Sequence, residues 1–67
     1  MLTITVNGDA REVADDTTVA ALLRDLGLDP KHVAVEKNRE IVTRKCFEGS
    51  TLQRGDQLEI VTFVGGG

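Results

Sequence analysis

Apolar and polar residues alternate at the start of the chain. Leu2, Ile4 and Val6 are separated by Thr3 and Thr5, the period of two that marks a strand with one buried face. Asn7-Gly8 then interrupts the alternation. Asn-Gly favours a type I′ turn, whose two central residues need positive φ, so Asp9 to Val13 is predicted to return antiparallel as a polar edge strand. After this the period changes. Val19, Leu22, Leu23 and Leu26 stand at i, i+3, i+4 and i+7, which is one face of a helix. A threonine just before it can cap the first amides, and Asp15 and Asp16 suit the positive end of the helix dipole. Gly27 and the Asp29-Pro30 step stop the helix after about two to three turns. Val33-Ala34-Val35 reads as a third strand closed by Asn38, Ile41-Val42 as a brief fourth, and Leu58 to Phe63 as the last. Arg44 to Thr51 is expected to be irregular or a single 3₁₀ turn, and Gln53-Arg54-Gly55-Asp56 is turn chemistry.

The order hairpin, helix, strand, short strand, final strand points to an α+β fold. If the first and last strands lie side by side and parallel at the centre of a mixed four- to five-stranded sheet, the single helix can cover one face. This is a β-grasp arrangement, ubiquitin-like in outline. The expected core is Leu2, Ile4, Val6, Val19, Leu22, Leu23, Leu26, Val33, Val35, Leu52, Leu58 and Ile60. Residues 1–63 are expected to form the domain and residues 64–67 a flexible C-terminal tail. On the last strand Val61 and Phe63 then point away from the helix, onto a sheet face with no second layer. Such residues either pack peripherally or dock a partner.

Composition narrows what so small a fold can do. A chain of 67 residues builds one thin core and no separate catalytic cleft. One Cys cannot form an internal disulfide, and one Cys with one His cannot complete a four-ligand zinc site, so the core must hold by packing. With 11 acidic against 8 basic residues, two Phe and neither Trp nor Tyr, the chain lacks both the basic stripe and the stacking aromatics of a nucleic-acid binder. The longest apolar run, Val19 to Leu23, is far short of the roughly 20 residues that span a bilayer. The alternating start is unlike a secretory signal. No nucleic acid, no membrane and a cytoplasmic location are therefore expected.

The side chains offer little chemistry of their own. His32 and Ser50 are far apart with no nucleophile elbow, and His32 reads as a solvated strand-start residue. Cys46 follows Arg44 and Lys45, a cationic setting of the kind an activated thiol needs, but reads as a partly buried small hydrophobe beside Phe47. Gly49 and Gly55 are turn glycines outside any phosphate-binding pattern. What remains is Gly65-Gly66-Gly67. At an average glycine usage of about 7%, three in a row at one fixed position arise about three times in ten thousand chains. Lacking Cβ atoms, such a run can enter a narrow channel and deliver its carboxylate into another protein's active site.

Several segments carry a resemblance to a known family. Gly55-Asp56-Gln57-Leu58-Glu59-Ile60-Val61-Thr62-Phe63-Val64-Gly65-Gly66-Gly67, Val35-Glu36-Lys37-Asn38, Glu40-Ile41-Val42 and the Thr-Val-x-x-Leu-Leu helix start at Thr18 to Leu23 together resemble the ThiS family, the sulfur carriers of thiamine biosynthesis. The resemblance covers essentially the whole chain. Thr43 departs from it, standing where many relatives have Pro. It implies a carrier and co-substrate, not an enzyme, whose Gly67 carboxylate becomes first an adenylate and then a thiocarboxylate that donates sulfur for thiazole formation. It further implies that Val64, Gly65, Gly66 and Gly67 enter partner active sites while Val61 and Phe63 lie on the docking face. The implied partners are a ThiF-type adenylating enzyme, a ThiG-type thiazole synthase and a persulfide sulfur donor. ATP and Mg²⁺ are used by the adenylating partner, with no cofactor held by the carrier, which is expected to be a monomer when free. A terminal Gly-Gly is shared more widely. A carrier for molybdopterin, tRNA thiolation or cysteine synthesis, a ubiquitin-like modifier and an inert interaction module therefore stay open.

Overall fold

A computed structural model describes residues 1–63; the expected tail, and Gly67 with it, lies outside the described residues. Five strands and one helix follow in the order β1 (Leu2–Val6), β2 (Asp9–Val13), α1 (Val19–Asp25), β3 (Val33–Lys37), β4 (Glu40–Val42) and β5 (Gln57–Thr62). Short 3₁₀ turns occupy Pro30–His32 and Arg44–Cys46. The sheet order is β2-β1-β5-β3-β4, with β1 and β5 parallel and every other neighbouring pair antiparallel. This is the mixed β-grasp sheet, with the last strand at its centre and one helix on one face.

Ile4, Leu58, Ile60, Val33 and Val35 from the sheet meet Val19, Leu22 and Leu23 from the helix in a single core, closed by Leu52. Burying a Leu or Ile side chain stabilises by about 1.5–3 kcal/mol, so this layer is what holds an otherwise unstapled chain. Three expected core residues are only partly buried. Leu2, Val6 and Leu26 sit at the ends of their elements, where fewer neighbours reach them. In their place Val13, Ala20 and Phe47 are fully covered. Val13 ends the polar edge strand directly opposite Leu2. Phe47 comes from the irregular segment and packs inward as its carbonyl accepts the Ala20 amide.

The helix is shorter than its apolar period, at seven residues. Thr18 is the N-cap, its side-chain oxygen accepting from the Ala21 amide at 3.1 Å. Asp15 and Asp16 are not in the first turn. They belong to the turn before the cap, where Asp16 takes φ 67° and Asp15 pairs with the Met1 amine at 3.1 Å. Gly27 ends the helix at φ 73°, a conformation that costs glycine nothing. The final strand begins at Gln57 instead of Leu58, because Gln57 pairs with Thr5 of β1. Its amide also donates to Asn38 Oδ1. The strand ends at Thr62, with the Phe63 amide donating to the His32 carbonyl. Thr43 has φ −71°, the angle proline would fix, so the backbone at this position is compatible with either residue.

Candidate functional site

β5 places the candidate site because its side chains alternate across the sheet. Leu58 and Ile60 face the helix and are buried, so Gln57, Glu59 and Val61 face the opposite, uncovered side. Val61 is 59% exposed and Phe63 50% exposed. Directly across from β5 lie Ala34 opposite Val61 and Glu36 opposite Glu59. Ile41 of β4, 76% exposed, stands opposite Glu36 on the far side. The uncovered face thus joins an apolar strip to a row of acids at the strand that leads to the C-terminus. Beside it, a hollow of about 320 Å³ is lined by Thr5, Gly8, Glu36, Arg39, Gln57 and Glu59.

Two asparagines fix this strand. Asn7, at φ 50° in the first hairpin turn, donates from Nδ2 to the Ile60 carbonyl at 3.0 Å and accepts the Ile60 amide at 2.7 Å. Its side chain takes up the pairing where the β1 backbone ends. Asn38, at φ 54°, accepts the Gln57 amide and donates from Nδ2 to Asp56 Oδ1, while Asp56 Oδ2 accepts the Gln53 amide. Asp56, 6% exposed, is the one buried charged group among the described residues. Asn7 and Asn38 were legible as turn residues. Their reach to β5 and Asp56 leaves no local pattern, since the partners lie 53 and 18 residues away.

The remaining candidates separate. Cys46 is exposed, contrary to the partly buried position expected of it, because the 3₁₀ turn directs Phe47 into the core and leaves Cys46 outside. His32 is exposed at the end of its turn, with Nδ1 3.8 Å from Asp29 Oδ2. Ser50 Oγ accepts from Lys37 Nζ. No cluster of three or more His, Cys, Asp or Glu that could hold a metal occurs among the described residues, and no helix there is long and apolar enough to cross a membrane.

A β-grasp sheet whose central strand leads into Gly-Gly-Gly has the build of a ubiquitin-like carrier. Comparison with known proteins makes this specific. The ThiS family model matches residues 4–67. The sulfur carrier protein ThiS of Bacillus subtilis is 40% identical over 63 residues, covering 92% of this chain and 96% of that protein. The crystal structure of the thiamine biosynthesis protein ThiS from Geobacter metallireducens superposes with a TM-score of 0.83 at 36% identity, covering 98% of this chain and all of that one. The chain belongs to the ThiS family. It is also 45% identical over 64 residues to the thiazole synthase of Paramagnetospirillum magneticum, covering 96% of this chain but 20% of that protein. Against such relatives the chain spans about a fifth of their length.

Proposed function

We propose that this chain is a co-substrate whose reactive group is the Gly67 carboxylate. A carboxylate is a poor electrophile because its charge is shared by two oxygens. In an adenylating partner, one carboxylate oxygen attacks the α-phosphorus of ATP, pyrophosphate leaves, and Gly67 becomes an acyl-adenylate; ATP and Mg²⁺ belong to that partner. A persulfide sulfur then attacks the acyl carbon and expels AMP. A thiol cleaves the remaining S–S bond to the donor, which leaves a thiocarboxylate on Gly67. That terminus is a soft nucleophile able to give its sulfur to a thiazole synthase. The family match, which runs through Gly67, is the observation that carries this reading.

The rest of the chain supplies presentation. Val61 and Phe63 dock the partner, and Val64 to Gly67 form the lead that enters its active site. Fully extended, those four residues reach about 13–14 Å at 3.3–3.6 Å each, enough for a carboxylate to pass beneath a docked domain. Thiazole synthase as the sulfur acceptor is supported by the relatives that bear that name and contain a ThiS-like stretch. The test is incubation with the adenylating enzyme, ATP, Mg²⁺ and a persulfide donor, followed by intact-mass measurement. One terminal oxygen should be replaced by sulfur, and the product should support thiazole formation by thiazole synthase. An unchanged Gly67, under conditions that charge the Bacillus carrier with its own enzymes, would rule the reading out.

A further inference from the structure

Asn7-Gly8, at the exposed tip of the first hairpin, brings together the two groups of a self-reaction. The backbone nitrogen of the residue after an Asn can attack the Asn carboxamide, which is one reason Asn counts among the thermolabile residues. Gly8 offers the least hindered nitrogen for this. Open space surrounds its Cα where a side chain would stand, and its amide makes no backbone hydrogen bond among the described residues. The carboxamide, by contrast, is held. Asn7 Nδ2 donates to the Ile60 carbonyl at 3.0 Å and Oδ1 accepts the Ile60 amide at 2.7 Å, so both of its polar atoms are tied to β5. The second hairpin supplies a contrast. Asn38 and Arg39 take a similar left-handed pair of φ angles, 54° and 71° against 50° and 88° at Asn7 and Gly8, and the Asn38 side chain is likewise bonded to Gln57 and Asp56. There, however, the attacking nitrogen would carry the long side chain of Arg39.

We propose that Asn7-Gly8 is a deamidation site gated by the bonds to Ile60, and that its product records opening of the end of β5. In the first step the Gly8 nitrogen loses its proton and bonds to Asn7 Cγ, the Cγ–Nδ2 bond breaks, and Nδ2 leaves as ammonia after taking a proton from solvent. Water then opens the resulting cyclic imide, on one side to give aspartate at position 7 and on the other to give isoaspartate. Nothing is oxidised or reduced. To meet the Gly8 nitrogen the carboxamide must turn out of its two bonds to Ile60, which happens when the end of the strand separates from the turn. Neither product restores both bonds. Aspartate has no Nδ2 hydrogen for the Ile60 carbonyl and sets a carboxylate oxygen against it. Isoaspartate adds a methylene to the main chain and so spoils a two-residue turn. The reaction therefore runs one way, and it falls on the strand that leads to the C-terminus, whatever becomes of Gly67.

The experiment incubates the full chain at constant temperature and mildly alkaline pH, native or unfolded in guanidinium chloride, and follows both asparagines by peptide mapping with mass spectrometry. Hydrogen exchange of the Ile60 amide is measured in parallel. In the unfolded chain Asn7 should convert faster than Asn38, because Arg39 hinders its own nitrogen. Native Asn7 should convert about tenfold or more slowly than unfolded Asn7, the factor that two hydrogen bonds of ordinary net strength impose on opening. At guanidinium concentrations too low to unfold the domain, conversion should rise in step with exchange at Ile60, since both then report the same local opening. The variant Asn7→Asp stands in for one product. Its Ile60 amide should exchange faster than in the wild type, and it should unfold at a lower denaturant concentration. Native conversion as fast as unfolded conversion would overturn the gate, and an unfolded Asn7 no faster than Asn38 would overturn the site. Conversion that rises while exchange at Ile60 stays constant would overturn the link to β5, as would wild-type exchange and midpoint in Asn7→Asp.

Discussion

Asp56 shows how a single side chain ties distant segments together in a domain with no disulfide. Its two oxygens accept from Asn38 Nδ2 and the Gln53 amide, and its backbone carbonyl accepts the Thr5 amide. The turn before β5 is thereby joined to the β3–β4 hairpin and to β1. Removing the carboxylate leaves an amide hydrogen on each of two partners unanswered in a part-buried site. Asp56→Ala should lower the unfolding free energy by about 1–3 kcal/mol, the cost of unpaired buried donors. Chemical denaturation measures it, and a midpoint equal to wild type would show that water replaces the carboxylate freely. Asn7 acts in the same way on Ile60. In both cases the hairpin-turn residue was visible in the sequence and the tertiary bond was not.

At the scale of elements, the helix is the part least able to stand alone. Seven residues are too few for a helix stable in water, so its ends must be satisfied by the rest of the fold. They are. The Val19 amide donates to the Ser50 carbonyl, Ala20 to the Phe47 carbonyl and Ala21 to Thr18 Oγ1, so the first three helical donors are used before Leu22 begins the intrahelical ladder on the Thr18 carbonyl. The segment that sequence describes as irregular is therefore a cap for the helix, and burial of Phe47 holds it there. Of the two adjacent threonines only Thr18 caps; the Thr17 hydroxyl donates to the Ala14 carbonyl instead. Thr18→Ala should cost about 1 kcal/mol. Thr17→Ala, at an exposed hydrogen bond, should stay within about 0.5 kcal/mol. Thermal unfolding of the two variants separates these outcomes, and equal losses would contradict the assigned cap.

For the whole molecule, the proposed function places the division between holding the fold and presenting the terminus near the end of β5. Every fully buried residue among those described lies at or before Ile60. Deleting Gly66 and Gly67 should therefore leave the melting temperature unchanged and abolish charging by the adenylating enzyme. Circular dichroism melting with intact-mass measurement reads both quantities. A large loss of stability would mean that the terminus packs against the domain, and retained charging would mean that another group accepts the sulfur. The central place of β5 suits this division, because a strand bonded on both sides by β1 and β3 gives its last residues a fixed point of departure.

The sequence by itself determined the elements, the helix-facing sides of β1 and β5 and the terminal glycines, because each is written in local periodicity, turn chemistry or adjacency; the parallel pairing of β1 with β5 was a supposition that the sheet bears out. It placed Leu2, Val6 and Leu26 too deep and Cys46 too far inside, because periodicity tells which side a residue faces but not how many neighbours reach it there. Only the tertiary structure decided that Phe47 closes the core, that Asn7 and Asn38 bond across the chain to β5 and Asp56, and that Glu36 meets Glu59. These depend on register between strands distant in sequence. Register is set when the two sides of the sheet come together around the helix, and no stretch of the chain carries that information alone.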